Sequence, residues 1–162
     1  MTDGPTDRPA LDEALAALTA RAGDAVLGTA FAKGELTVRL RPDAVVAAVA
    51  FLKAERSFTA LNDIIGLDNG PAPAEGRKRF TVLYQLYNRE ARLRIRLAAD
   101  VAEGEPLVSI VGVHKAADWA EREIFDMFGV VFEGHPDLRR VYLDPEFEGH
   151  PLRKDFPLRG KA

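Results

Sequence analysis

The sequence predicts an α+β fold, a two-layer sandwich of helices on one sheet. Three observations carry that prediction. The order along the chain is helix, two strands, helix, then three or more strands. Neighbouring strands are joined by short turn segments, as hairpins are. Helices are too few for a βαβ parallel sheet, in which every strand needs a crossover. At 162 residues, 47% of them hydrophobic, the chain suits one domain with a substantial core.

Residues 1–9 are polar, contain two prolines and read as a flexible N-terminus. The α+β domain is placed at 10–128, followed by an extended segment at 129–162. Residues 10–22 read as a helix, with Leu11, Leu15 and Leu18 on one face and Gly23 at its end. Residues 25–32 and 35–41 read as strands joined at Lys33-Gly34, a hairpin signal. Pro42 opens a helix with an apolar stripe of Val45, Val46, Val49 and Leu52. Residues 58–67 are the next strand, and the Pro- and Gly-rich 68–78 is a surface loop. Strands at 80–87 and 91–98 flank the turn Asn88-Arg89-Glu90. In the second, Arg92, Arg94 and Arg96 alternate with Leu93, Ile95 and Leu97, so one face is cationic and the other apolar. The cationic face is either plainly solvated or, enlarged by Arg39 and Arg41, a surface for an acidic partner. A short strand at 107–113 and a helix at Ala117–Phe128 follow.

Projected at ~100° per residue, that last helix puts Ala117, Ala120, Ile124, Met127 and Phe128 on a core face. Glu121 falls at the edge of the stripe, beside Phe128. A carboxylate there needs a partner, and a structural ion pair with an arginine is expected. Trp119 falls nearly opposite, among Arg122, Glu123 and Asp126. It is either covered by the following segment or an interface anchor.

Composition excludes several functions. A net charge of −3 gives no basic excess for nucleic acid. The chain has no cysteine, which rules out disulfides, thiolate-held iron–sulfur clusters and Cys-based zinc sites within it. The N-terminus does not resemble a signal peptide, and no run of ~18 apolar residues could span a bilayer. Membrane association would therefore be indirect, through a partner. His114, His135 and His150 match no zinc-ligand spacing. Gly134-His135-Pro136 and Gly149-His150-Pro151 read as turns whose imidazoles bond to backbone. No hydrolase nucleophile motif, dinucleotide fingerprint or P-loop occurs. No catalytic, cofactor-binding or metal-ligating residue is assigned.

Residues 129–162 mix acidic and basic side chains with Pro and Gly and have no steady apolar period. Alone, such a segment buries too little apolar surface to offset the entropy of ordering it. Along a partner it would grip through Arg139, Arg140, Arg153 and Lys154, with Phe147 and Phe156 as apolar anchors. Trp119, Arg122, His135 and His150 complete the candidate interface.

Four stretches resemble a known family. They are Glu121-Arg122-Glu123, Asp126-Met127-Phe128-Gly129, His135-Pro136-Asp137-Leu138-Arg139-Arg140, and Gly149-His150-Pro151-Leu152-Arg153-Lys154-Asp155-Phe156-Pro157-Leu158. Together with the approach at 113–119 and, more loosely, the strands from Arg79 onward, they resemble the C subunit of the proton-translocating NADH–quinone oxidoreductase, respiratory complex I. The resemblance covers most of residues 35–160. It implies a non-redox structural and assembly role in the hydrophilic arm, with no flavin, cluster or quinone ligand of its own. FMN and iron–sulfur clusters would lie in partner subunits. It implies packing against the D subunit, which helps form the quinone site, with the C-terminal stretch lying along that neighbour. The implied location is peripheral, on the cytoplasmic side of a bacterial inner membrane. The chain stops shortly after Pro157-Leu158, where many relatives continue, so contacts of such an extension are not carried over. The alternative is the equivalent subunit of a membrane-bound hydrogenase or ferredoxin-linked complex. More distant ones are a stand-alone enzyme using His135 and His150 and a generic peptide-binding module.

Overall fold

A computed structural model describes residues 8–157. The expectations for residues 1–7, and for 158–162 of the C-terminal segment, lie outside the described residues. The first helix, α1, spans Arg8–Ala22 and buries Leu11, Ala14 and Leu18. It takes in Arg8 and Pro9, which the sequence predicts to be loose. An Arg8–Asp12 ion pair of 2.7 Å spans its first turn, where Pro9 costs no hydrogen bond.

A hairpin follows, β1 (Val26–Ala32) and β2 (Glu35–Leu40). A short 3-10 turn at Pro42–Ala44 leads into α2 (Val45–Glu55), which buries Val45, Ala48, Val49, Phe51 and Leu52. Next come β3 (Ala60–Asp68), β4 (Phe80–Asn88) and β5 (Leu93–Val101). The sheet order is β1-β2-β5-β4-β3. Every pairing is antiparallel except β2 with β5. One crossover, carrying α2 and the β3–β4 hairpin, makes that parallel contact. The fold is thus the expected two-layer α+β sandwich.

Register puts like with like. Val38, Leu97, Tyr84 and Ile64 lie side by side across four strands, and so do Leu36, Ile95 and Leu86. These side chains are buried and form one core with Leu11, Leu18, Val49, Leu52, Ile124 and Phe128 of the helices. Each fully buried aliphatic side chain contributes ~1.5–3 kcal/mol. The opposite face holds the arginines, and most are compensated from within the sheet. Arg96 pairs with Glu35, Arg39 reaches Asp100 at 2.5 Å, and Arg94 lies over the Tyr87 ring.

The strand expected at 107–113 shrinks to β6 (Leu107–Val108), because the Val113 and His114 N–H groups both turn back to the Ile110 carbonyl at 2.8 Å. The third helix, α3, spans Ala117–Phe128 and packs on β3. Gly66 of β3 permits that approach, since a Cβ there would lie 2.9 Å from the Phe128 ring. Gly129 ends α3 in the left-handed region, at φ 78°, and its N–H bonds to the Phe125 carbonyl. A two-residue strand, β7 (Phe132–Glu133), pairs with β6 in parallel.

From Gly134 to Pro157 the described chain consists of turns and irregular backbone, folded back over α3 and the loop after β3. The described part is ordered against its own domain, where composition predicts too little apolar burial to order the segment alone. Its order comes from hydrogen bonds to a few buried acceptors rather than from apolar burial, and composition does not report those.

Candidate functional site

Helix α3 holds two carboxylates with no solvent exposure, Glu121 and Asp126. The helical projection places Asp126 on the charged side, but the segment 140–150 covers that side. Asp126 Oδ2 accepts the N–H groups of Val141, Tyr142 and Leu143 at 3.0, 2.9 and 3.1 Å. Oδ1 accepts Arg140 Nη1 at 2.6 Å. The other guanidinium nitrogen of Arg140 donates to the Phe147 and Gly149 carbonyls. Burial works against the charge on Asp126, yet the Tyr142 N–H, the Arg140 guanidinium and the flanking N–H groups outweigh it. They hold the carboxyl below its usual value.

Glu121 does not pair with an arginine, contrary to expectation. Ser109 Oγ donates to its Oε2 at 2.6 Å and the Ile110 N–H to its Oε1 at 2.8 Å. The turn after β6 lies directly against this side of α3 and supplies neutral donors. Burial therefore pushes the Glu121 carboxyl above its usual value, and the two hydrogen bonds counter this only in part. Nearby, the fully buried Tyr84 hydroxyl is raised by burial first and by the Glu121 charge second.

The two His-Pro segments tie to opposite ends of α3. The His135 side chain is completely buried. Its Nδ1 accepts the Asp137 N–H at 3.0 Å, so Nε2–H donates to the Asp118 carbonyl at 3.1 Å. His150 Nδ1–H donates to the Asp126 carbonyl at 2.9 Å. Its ring covers Gly129 so closely that a Cβ there would sit 2.6 Å from Nε2. Both imidazoles bond to backbone, as expected of turn-fixing histidines.

A second clamp closes the segment. The buried Arg79 pairs with Asp68 and with Asp155, each at 2.9 Å. The Lys154 N–H donates to Asp68 at 2.7 Å. Arg153 pairs with Glu103 at 2.5 Å and lies over the Phe80 ring.

The candidate interface residues thus divide. His135, Arg140, His150 and Arg153 are committed inward, to the domain itself. Trp119 stays 53% exposed and meets Tyr142, 60% exposed, edge to face with ring centroids 6.2 Å apart. Arg122 lies over the Trp119 ring at 5.5 Å. Arg139 and Lys154 point to solvent, and Phe147, also exposed, stacks on the half-buried Phe156 at 6.1 Å. Sequence reasoning missed Asp126, Tyr142 and the Arg79–Asp68 pair. A signal for Asp126 existed: an acidic residue in the last turn of a helix opposes the helix dipole and needs a compensating partner. Tyr142, in an aperiodic stretch, had none.

Among the described residues no group of three or more His, Asp or Glu is placed to hold a metal ion. None of the described helices is long and apolar enough to cross a membrane. The arrangement locks an irregular segment to α3 and presents an aromatic pair with a cation on the outside.

The chain is similar to known proteins in sequence and in fold. The family model described as the respiratory-chain NADH dehydrogenase 30 Kd subunit matches residues 38–162. The NADH-quinone oxidoreductase C subunit of Cereibacter sphaeroides is 46% identical over 153 residues, 93% of this chain and 74% of that protein. The C subunit of Rhizobium rhizogenes is 44% identical over 153 residues, with the same coverage of 93% and 74%. A solved trypsin-resistant fragment (1–134) of Nqo5 has a TM-score of 0.67 at 31% identity, covering 80% of this chain and 99% of the fragment. A chain of an archaeal membrane-bound sulfane sulfur reductase has a TM-score of 0.75 at 24% identity, covering 91% of this chain and 85% of its own, and shares the fold. This chain belongs to the respiratory-chain NADH dehydrogenase 30 Kd subunit family, the family of the C subunit of NADH–quinone oxidoreductase, respiratory complex I.

Proposed function

We propose that this protein performs no redox step itself and acts as a structural brace, holding the quinone-site D subunit in the hydrophilic arm. In this reading FMN and iron–sulfur clusters reside in partner subunits, and no side chain of this chain is catalytic. The protein lies peripherally on the cytoplasmic side of a bacterial inner membrane and reaches the membrane only through its partners. The observation that supports this most is the Trp119–Tyr142 pair. Two large aromatic side chains are left more than half exposed while the backbone beneath one of them is fixed by Asp126. A rigidly held, exposed aromatic pair beside an arginine is the composition of an interface anchor. Arg139, Lys154 and Phe147 are further exposed side chains of the C-terminal segment.

The test is the double variant Trp119→Ala, Tyr142→Ala in the full chain, expressed in place of the wild type. The free variant should melt within a few degrees of wild type. Native gels of the membranes should lose the assembled complex, and NADH–quinone activity should fall with it. A fully assembled, active complex would remove this surface as the grip. Visible absorbance of the purified chain addresses the non-redox reading, and a stoichiometric flavin or cluster would end it.

A further inference from the structure

The five-stranded sheet has two outer edges, and they are built differently. The β3 edge carries Asn62, Asp63 and Asp68, a register irregularity between Leu61 and Asp63, and the returning C-terminal segment at Lys154. Charges, bulges and covering chain are the devices that stop another strand from adding. The β1 edge has no proline and no charge: its sequence is Val-Leu-Gly-Thr-Ala-Phe-Ala, and six of its seven residues, from Leu27 on, are exposed. Its one irregularity sits at its start, between Val26 and Gly28.

The edge has a definite hydrogen-bonding face. Lys33 and Gly34, at φ 52° and 78°, form a two-residue turn closed by the pair Ala32 and Glu35. That pair exchanges both backbone bonds. Alternation along an antiparallel ladder makes Ala30 with Thr37 the next bonded pair. The N–H and C=O groups of Thr29 and Phe31 therefore point away from β2. Phe31 is held on the helix side by Arg8, whose guanidinium lies 4.0 Å from the ring centroid. Gly28, Ala30 and Ala32 leave the other side of the edge bare.

We propose that β1 is a docking edge on which an extended segment of a partner protein of the oxidoreductase adds as a further strand. The segment is uncharged, with bulky apolar side chains opposite Ala30 and Ala32, where small residues leave space for cross-strand packing. A second copy of this chain is a poor occupant. Seven residues at ~3.3 Å each make a strip ~23 Å long, and a width of ~10 Å gives roughly 500 Å² in all. A stable interface needs about 1,000 Å². A segment whose parent protein is already held through Trp119 and Tyr142 does not face that requirement, because its docking is intramolecular within the assembly. The inference rests on the reading that this chain is braced against such a partner.

Amide hydrogen exchange tests it, on the free full-length chain and on the oxidoreductase purified from membranes. The Thr29 and Phe31 amides should exchange freely in the free chain at every concentration. In the complex they should slow by on the order of tenfold or more. The Ala30 amide, bonded to β2, should be protected in both. Thr29→Pro removes one outward N–H and no ladder bond, which an edge strand tolerates. That variant should melt like the wild type and still assemble through Trp119, but its Phe31 amide should exchange freely in the complex. Free exchange at Thr29 and Phe31 in an intact wild-type complex overturns the docking edge and leaves the bracing role standing. A chain that never co-purifies with the other subunits overturns both. Protection that grows with concentration in the free chain identifies a second copy as the occupant and also overturns the proposal.

Discussion

Glu121 and Asp126 lie five residues apart on α3, both fully buried, and their surroundings drive them in opposite directions. Five residues correspond to ~140° around a helix, so they face different neighbours. Glu121 faces the turn after β6 and finds one hydroxyl and one N–H. Asp126 faces the returning segment and finds three N–H groups and a guanidinium. Burial opposes the charge at both sites. Only the second has enough donors to overcome it. Exposure alone therefore does not fix the charge of a buried carboxyl; the number and charge of its donors do.

The largest effect should come from Asp126→Ala. It strands the Arg140 cation and three N–H groups, a loss of ~3–5 kcal/mol. The segment beyond Arg139 should come loose, and limited trypsin digestion should cut at Arg139 and Arg140 much faster than in the wild type. Unchanged melting and digestion would mean that the segment is held elsewhere. Asp126→Asn, which keeps one acceptor oxygen but loses the charge, should fall between.

Glu121→Ala should cost less, ~2–3 kcal/mol, because it leaves the Ser109 hydroxyl and the Ile110 N–H without an acceptor but strands no charge. Glu121→Gln should restore that loss in a thermal melt at pH 7, since an amide can accept from Ile110 and donate to Ser109. If Gln were as damaging as Ala, the negative charge itself would be what the site requires.

The pH dependence should separate the two sites further. The Glu121 carboxyl is raised, so the folded chain holds its proton longer than the unfolded one. Its contribution is greatest below the usual carboxylate value and shrinks as pH rises through the raised value. Asp126 is lowered, so its contribution is full above the usual value and disappears as pH falls through the lowered one. Chemical denaturation across pH should therefore show Glu121→Gln flattening the fall of stability above the usual carboxylate value. Asp126→Asn should flatten the fall on the acid side. The reverse assignment would refute the donor-counting argument.

The smallest effect on stability should be that of Trp119→Ala, below ~1 kcal/mol, because the ring is half exposed and loses one edge contact and one cation–π contact. Its expected consequence lies in assembly, not in the melt of the free chain. A large stability loss would recast Trp119 as core.

Much of this was legible in the sequence. The alternation of arginine with Leu93, Ile95 and Leu97 located β5 and its two faces, and the Lys33-Gly34 pair located the first hairpin. The spacing of Ala117, Ile124 and Phe128 located α3 and put Trp119 on the side away from the core, and the structure showed that side left uncovered there. The Glu121 reading failed in a specific way. Periodicity gives the direction in which a side chain leaves its helix, and Glu121 does point inward. It does not give what waits there, and the partner was a serine in a turn rather than an arginine.

The sequence by itself determined the layering, the order of elements, the side of α3 on which Trp119 lies and the family. These follow from local periods and contiguous motifs, which a linear chain displays directly. Only the tertiary structure decided that β2 and β5 lie side by side. It also decided that the described part of the C-terminal segment packs on its own domain, and that Glu121 and Asp126 take opposite charge preferences. Each of those depends on groups remote in sequence meeting in space: Ser109 at Glu121, Arg140 to Leu143 at Asp126, Asp155 at Arg79. Hydrogen bonds of that kind have no period, and the energy that selects them exists only once the core has brought their partners within reach.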